Sequence, residues 1–160
     1  MTSLRFTVRH RRTVAATGAI AAGLLLLSAC DKPTPLATIT VGSSTVTSEA
    51  ACYNDGKALM ASDLKDCLQN TKDVKSISVD PDATVRFGVD PKIADKGWTI
   101  LMNGQPLTDS SKKTYRTVPG SVFFNQQYGA TGNSTKVSIV EGSGSNATGL
   151  WSFNLKKDTN

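Results

Sequence analysis

From Ala37 onward, apolar residues recur at every second position in short runs, and each run is closed by residues that turn the chain. Ile39 and Val41 alternate with threonines, and Gly42-Ser43-Ser44 separates them from Thr45-Val46-Thr47. Val85, Phe87 and Val89 alternate with Thr84, Arg86 and Gly88; Trp98, Ile100 and Met102, then Val137 and Ile139, then Trp151, Phe153 and Leu155 repeat the pattern. A period of two places the apolar side chains on one face of an extended strand. Asp55-Gly56 and Asn103-Gly104 are hairpin signals, because both residue types tolerate positive φ. Thr, Ser, Asn, Gly and Pro interrupt every candidate for a long helix. One segment departs from the strand period: Ser62 is placed to N-cap a short helix in which Leu64, Cys67 and Leu68 share a face at i, i+3 and i+4. The pattern predicts an all-β fold, a sandwich or small barrel of short antiparallel strands with one short helix near its N-terminal end.

The first thirty residues are of a different kind. Arg5, Arg9, Arg11 and Arg12 precede the apolar run Thr13–Leu27, with no acidic residue before Asp31. A run of about 15 residues is too short for a bilayer core of roughly 30 Å and suits the apolar region of a signal peptide. Leu27-Ser28-Ala29-Cys30 follows directly and resembles the lipobox of bacterial lipoprotein precursors. The resemblance implies diacylglyceryl transfer to the Cys30 sulfur and cleavage before Cys30. Residues 1–29 are then a signal peptide, 30–37 a lipidated, proline-stiffened tether, and 38–160 a single β-rich extracytoplasmic domain. Each buried methylene contributes about 0.8 kcal/mol, so two or three acyl chains hold a protein durably to a membrane. The implied location is the outer face of the cytoplasmic membrane, with the domain facing the cell exterior. Arg11-Arg12 leaves the general secretory and twin-arginine routes both open.

Removing residues 1–29 changes the composition. The whole chain has 18 Lys and Arg against 13 Asp and Glu; four of the arginines lie in the leader, which leaves 14 against 13. The basic balance therefore belongs to the export signal and gives no support to a nucleic-acid partner. The only histidine, His10, leaves as well. The remaining domain has no imidazole for a Ser-His-Asp or Cys-His arrangement or for a histidine-based zinc or copper site, and no metal or cofactor is expected. With Cys30 assigned to lipid, Cys52 and Cys67 remain as an even pair in an oxidising compartment, which reads as a structural disulfide.

The stretch from about Lys75 to Lys157 resembles an immunoglobulin-like sandwich, with Val85–Val89 as an early core strand, Trp98 in the next, and 135–141 with 149–156 as a closing hairpin. Cys52 and Cys67 are too close in sequence to be the inter-sheet bridge of antibody domains. Cys30-Asp31-Lys32-Pro33-Thr34-Pro35, Val85-Arg86-Phe87-Gly88-Val89-Asp90-Pro91-Lys92, Gly97-Trp98-Thr99 and Lys113-Thr114-Tyr115-Arg116-Thr117-Val118-Pro119-Gly120 are similar to segments of small actinobacterial lipoproteins. That similarity bears on lineage and localisation.

Few residues suggest chemistry. The loop Asp90–Gly97 carries two carboxylates and two lysines; the lysines oppose calcium, and a solvated turn is the simpler reading, as it is for Asp80-Pro81-Asp82. Glu49 and Glu141 are the only glutamates, and nothing singles out a pair of carboxylates for acid–base work. Phe123, Phe124 and Tyr128 form the one aromatic run. In a strand Phe123 and Phe124 would face opposite ways, so one ring would be exposed for a protein, peptide or glycan contact; the alternative is a twisted loop that packs both. Arg116 is a candidate polar companion. Lys112-Lys113 and Lys156-Lys157 are placed to rest on anionic headgroups or to face solvent. These readings converge on a non-enzymatic, lipid-anchored binding or accessory module of the cell envelope. The alternatives are a small carboxylate enzyme and a small-solute-binding lipoprotein. Fatty-acid labelling in the host should mark the wild-type chain and fail on Cys30→Ser; label retained on that variant would overturn the anchor.

Overall fold

A computed structural model describes residues 33–159. The leader, the Leu27–Cys30 motif and Cys30 itself lie outside the described residues. The elements run β1 (Ala37–Val41), β2 (Ser44–Ser48), β3 (Cys52–Tyr53), α1 (Ala61–Gln69), β4 (Lys75–Val79), β5 (Thr84–Val89), α2 (Pro91–Lys96), β6 (Trp98–Met102), β7 (Gln105–Pro106), β8 (Tyr115–Pro119), β9 (Ser134–Glu141) and β10 (Gly149–Lys157). The fold is all-β. One sheet has the order β2-β1-β5-β8 and the other β3-β10-β9-β6-β7, with β4 also paired to β10. Every pairing is antiparallel except β4 with β10, which is parallel.

The period-two runs form the predicted strands, and their apolar faces make one core between the sheets. Ile39, Val85 and Phe87 from the first sheet meet Ile100, Ile139, Trp151 and Phe153 from the second. A fully buried side chain of this size stabilises by roughly 1.5–3 kcal/mol. Asn103 and Gly104, at φ 49° and 84°, turn β6 into β7. Asp55 and Gly56 also adopt positive φ, and the Lys57 N–H donates to the Asn54 carbonyl at 2.8 Å. That turn joins no hairpin, because β3 pairs with β10.

Four expectations need correction. The sandwich does not begin at Lys75: β1 sits between β2 and β5 in the interior of the first sheet. Residues 34–37 are not a free tether. The Trp151 indole N–H donates to the Pro35 carbonyl at 2.7 Å, the Ala50 N–H to Thr34 Oγ1 at 2.9 Å, and Leu36 and Asp90 exchange two hydrogen bonds. The polar segment after Asp90 is not a solvated loop but helix α2, whose Ile93 and Ala94 are buried in the core. Proline at its first position suits a helix start, since that N–H has no intrahelical partner to lose. Helix α1 is capped at Met60 rather than Ser62, and the Ser62 hydroxyl donates to Asp63 at 3.3 Å.

The helix face itself is as expected. Leu64, Cys67 and Leu68 pack on Val140, Ala147 and Leu150, across the second sheet from the main core. Cys67 is bonded to Cys52, with Cα atoms 6.1 Å apart. Lys136 on β9 reaches the same, C-terminal end of α1 and donates to the carbonyls of Leu68 (2.5 Å) and Asn70 (2.6 Å). It satisfies carbonyls that the helix terminus leaves unpaired, and burial lowers its ammonium pKa. The pair Cys52→Ala with Cys67→Ala should cost about 2–4 kcal/mol in urea unfolding, the usual worth of a native bridge. Quantitative alkylation of both thiols in native, unreduced protein would contradict the bridge.

Candidate functional site

The aromatic run does not present the patch its sequence suggested. Gly120–Phe124 and Gln126–Tyr128 are 3-10 turns, in which successive side chains step by about a third of a turn instead of alternating. Phe123 is fully buried, its ring 5.9 Å from that of Phe87, and its carbonyl accepts the Thr135 hydroxyl at 2.5 Å. Phe124 is half-buried and packs on the same core. Only Tyr128, 56% exposed, reaches solvent. Phe123 is therefore a core residue rather than a contact, and Phe124 is largely one.

Arg116 lies elsewhere, on β8, where its guanidinium donates to the Asp109 carbonyl. It lines an open concavity of about 450 Å³ with Ser110, Ser111, Lys113, Tyr115 and Thr117. Tyr115 is 66% exposed, more than Tyr128, and sequence reading passed over it. The available signal was register: if Val118 faces the core, Tyr115 and Thr117 face out.

Tyr115 and Thr117 extend the outer surface of the first sheet. One row across the strands is Thr47, Thr38, Gly88 and Tyr115; the next is Thr45, Thr40, Arg86 and Thr117. The hydroxyls of Thr38 and Thr47 pair at 3.0 Å, as do those of Thr40 and Thr45. Arg86, Thr45, Thr47 and Thr117 are exposed. These two rows carry no carboxylate.

Glu141 is the other unusual group. It continues the core-facing series Val137 and Ile139 at the end of β9, opposite Gly149 on β10 and Trp98 on β6. It is 1% exposed, and neither carboxylate oxygen has a hydrogen-bond partner among the described residues. Lys96, the last residue of α2, places Nζ 3.5 Å from Oε1 while remaining 40% exposed. The Tyr53 and Trp151 rings pack nearby with centroids 6.1 Å apart, and they fill the space a Cβ on Gly149 would need. Burial raises the Tyr53 phenol above its ordinary pKa, and the charges of Glu141 and Asp55 act in the same direction. The acid is thus closed under a lysine instead of opening on a cleft.

Other candidates are structural or solvent-facing. The Asp90 carboxylate accepts the Leu36 N–H at 3.2 Å, and Asp80 accepts the Asp82 N–H at 2.9 Å, so both are tied to local backbone. Ser62 and Lys65 stand three apart at the start of α1, a serine–lysine spacing; both are exposed. A larger groove of about 620 Å³ has Glu49 and Asp73 balanced by Lys72 and Lys75 along its walls.

Removing Lys96 leaves the Glu141 charge buried without its ion-pair partner. Lys96→Met should cost about 2–3 kcal/mol, below the range for a fully buried pair because Lys96 is partly hydrated. Adding Glu141→Leu should restore more than half of that loss in urea unfolding. A double variant no more stable than Lys96→Met alone would show that the pair does not hold this corner. Compared with protein-family models, curated proteins and solved structures, the chain matches none.

Proposed function

We propose that this chain is a lipid-anchored binding module of the cell envelope, held at the outer face of the cytoplasmic membrane through Cys30 and engaging its partner through the outer surface of the first sheet. The supporting observation is Tyr115. It is the most exposed aromatic residue described, and it stands beside Arg86 and the paired threonines on a surface formed by regular strands. Strands hold such groups in fixed relation, so little ordering entropy opposes a contact. Arg116 and Lys113 extend the surface into the neighbouring concavity.

A binding role without catalysis is supported by the absence of histidine after His10 and by the closure of Glu141 under Lys96. The lipid anchor is supported by the Leu27–Cys30 motif and its leader. Docking of residues 34–36 on the domain leaves four residue steps from Cys30 to Thr34, which span at most about 14 Å. The module would work close to the bilayer.

The test separates anchor from surface. The mature chain, residues 30–160 with Cys30→Ser so that it carries neither leader nor lipid, added to washed envelopes from the host, should be retained through the surface alone. Tyr115→Ala on that background should reduce retention about tenfold with an unchanged melting temperature, as for a contact hot spot. Tyr128→Ala should leave retention as it was. Retention indifferent to Tyr115→Ala, or lost only on unfolding, would sink this reading.

A further inference from the structure

The outer face of the first sheet is built more like a floor for sugar rings than a protein contact. Its two rows are hydroxyl-rich, carry one guanidinium, and hold a single aromatic ring, Tyr115. Tyr115 stands directly across the ladder from Gly88, where a Cβ would find nothing closer than Thr38 Cβ at 3.9 Å. The missing side chain leaves a shelf beside the ring. A pyranose has an apolar C–H face and a rim of hydroxyls, so it can lie on such a shelf with its flat face on the phenol and its rim toward the threonines. Strands about 4.8 Å apart give a four-stranded surface roughly 14 Å across, long enough for a short run of sugar units.

The charges narrow the class. Arg86 is exposed next to Thr117, and Lys113 lines the concavity that Tyr115 and Thr117 also line. With no carboxylate in either row, these cations are placed to receive an anion, and a guanidinium binds a carboxylate through two parallel hydrogen bonds. A protein interface core would carry more apolar area than one tyrosine. We propose that this surface binds an acidic, uronate-bearing polysaccharide, with a sugar ring stacked on Tyr115 and its carboxylate held by Arg86. The proposal rests on the binding reading above and names the partner's chemistry.

Affinity electrophoresis of the mature chain, residues 30–160 with Cys30→Ser, tests it, with polygalacturonate in the gel and dextran as the uncharged control. Polygalacturonate should retard the protein and dextran should not. Tyr115→Ala should weaken binding about tenfold and Arg86→Gln about fivefold, each with an unchanged melting temperature. Binding by wild type should fall with salt, and less steeply for Arg86→Gln. Absence of retardation, equal retardation by dextran, or retardation unaffected by Tyr115→Ala would overturn the proposal. Binding to phosphatidylglycerol vesicles in place of polygalacturonate would reassign the surface to the membrane. Envelope retention that depends on Tyr115 while polygalacturonate is ignored would defeat the acidic-sugar inference alone. Loss of both would defeat the binding reading with it.

Discussion

The nine residues of β10 hydrogen-bond to β9 along one edge and to β3 and then β4 along the other, so three other segments take their register from one strand. Its side chains are shared between two jobs. Trp151, Phe153 and Leu155 fill the space between the sheets, while Leu150 supports α1 on the opposite face. A one-residue slip would exchange those faces and strand three large apolar groups beneath the helix. The Trp151 indole N–H adds a further link by fixing Pro35, which delivers the chain into β1 and thereby into the other sheet.

The corner where β9 turns into β10 is the least ordinary part of the core. A carboxylate stands where the strand period calls for an apolar group, and glycine stands opposite it because two aromatic rings occupy that volume. Helix α2 brings Lys96 over the acid, with Ile93 and Ala94 packed below as its anchor. Desolvation opposes a buried charge, and an ion pair offsets only part of that cost. The arrangement makes the position of α2 depend on electrostatics as well as packing. The exposed surface around Tyr115 is attached to a different sheet, and Trp98, opposite Glu141, links the two through its indole N–H, which donates to the Lys113 carbonyl at 2.7 Å.

How much was legible in the sequence follows from what each signal reports. Period two reports a strand with one face in a core, and it located β1, β5, β6, β9 and β10. It does not report partners, so the parallel pairing of β4 to β10 was invisible; that choice is made by the whole sheet. Asp90–Gly97 reads as a polar loop by composition, yet two apolar residues suffice to seat a six-residue helix. Phe123 and Phe124 read either as alternating strand residues or as a twisted loop packing both rings, and the 3-10 turn takes the second course because it has no alternation to apply. Glu141 had a signal, two positions beyond Ile139, but a charged residue there is more naturally read as the end of a strand than as its buried continuation. Tyr115 had one too, and was overlooked because its run holds only one core residue, Val118.

The entry of the chain into the fold has a mechanical consequence. Any pull on the N-terminal side acts first on the Thr34 hydroxyl and the Pro35 carbonyl and then along β1, which is flanked on both sides by antiparallel ladders. A load directed along a strand in that position must slide it past β2 and β5 together, breaking many hydrogen bonds at once, whereas a strand at a sheet edge can be peeled away one bond at a time. The geometry therefore resists tension in shear. A domain tugged repeatedly from this end would hold its shape at forces that unzip a fold tethered through an edge strand.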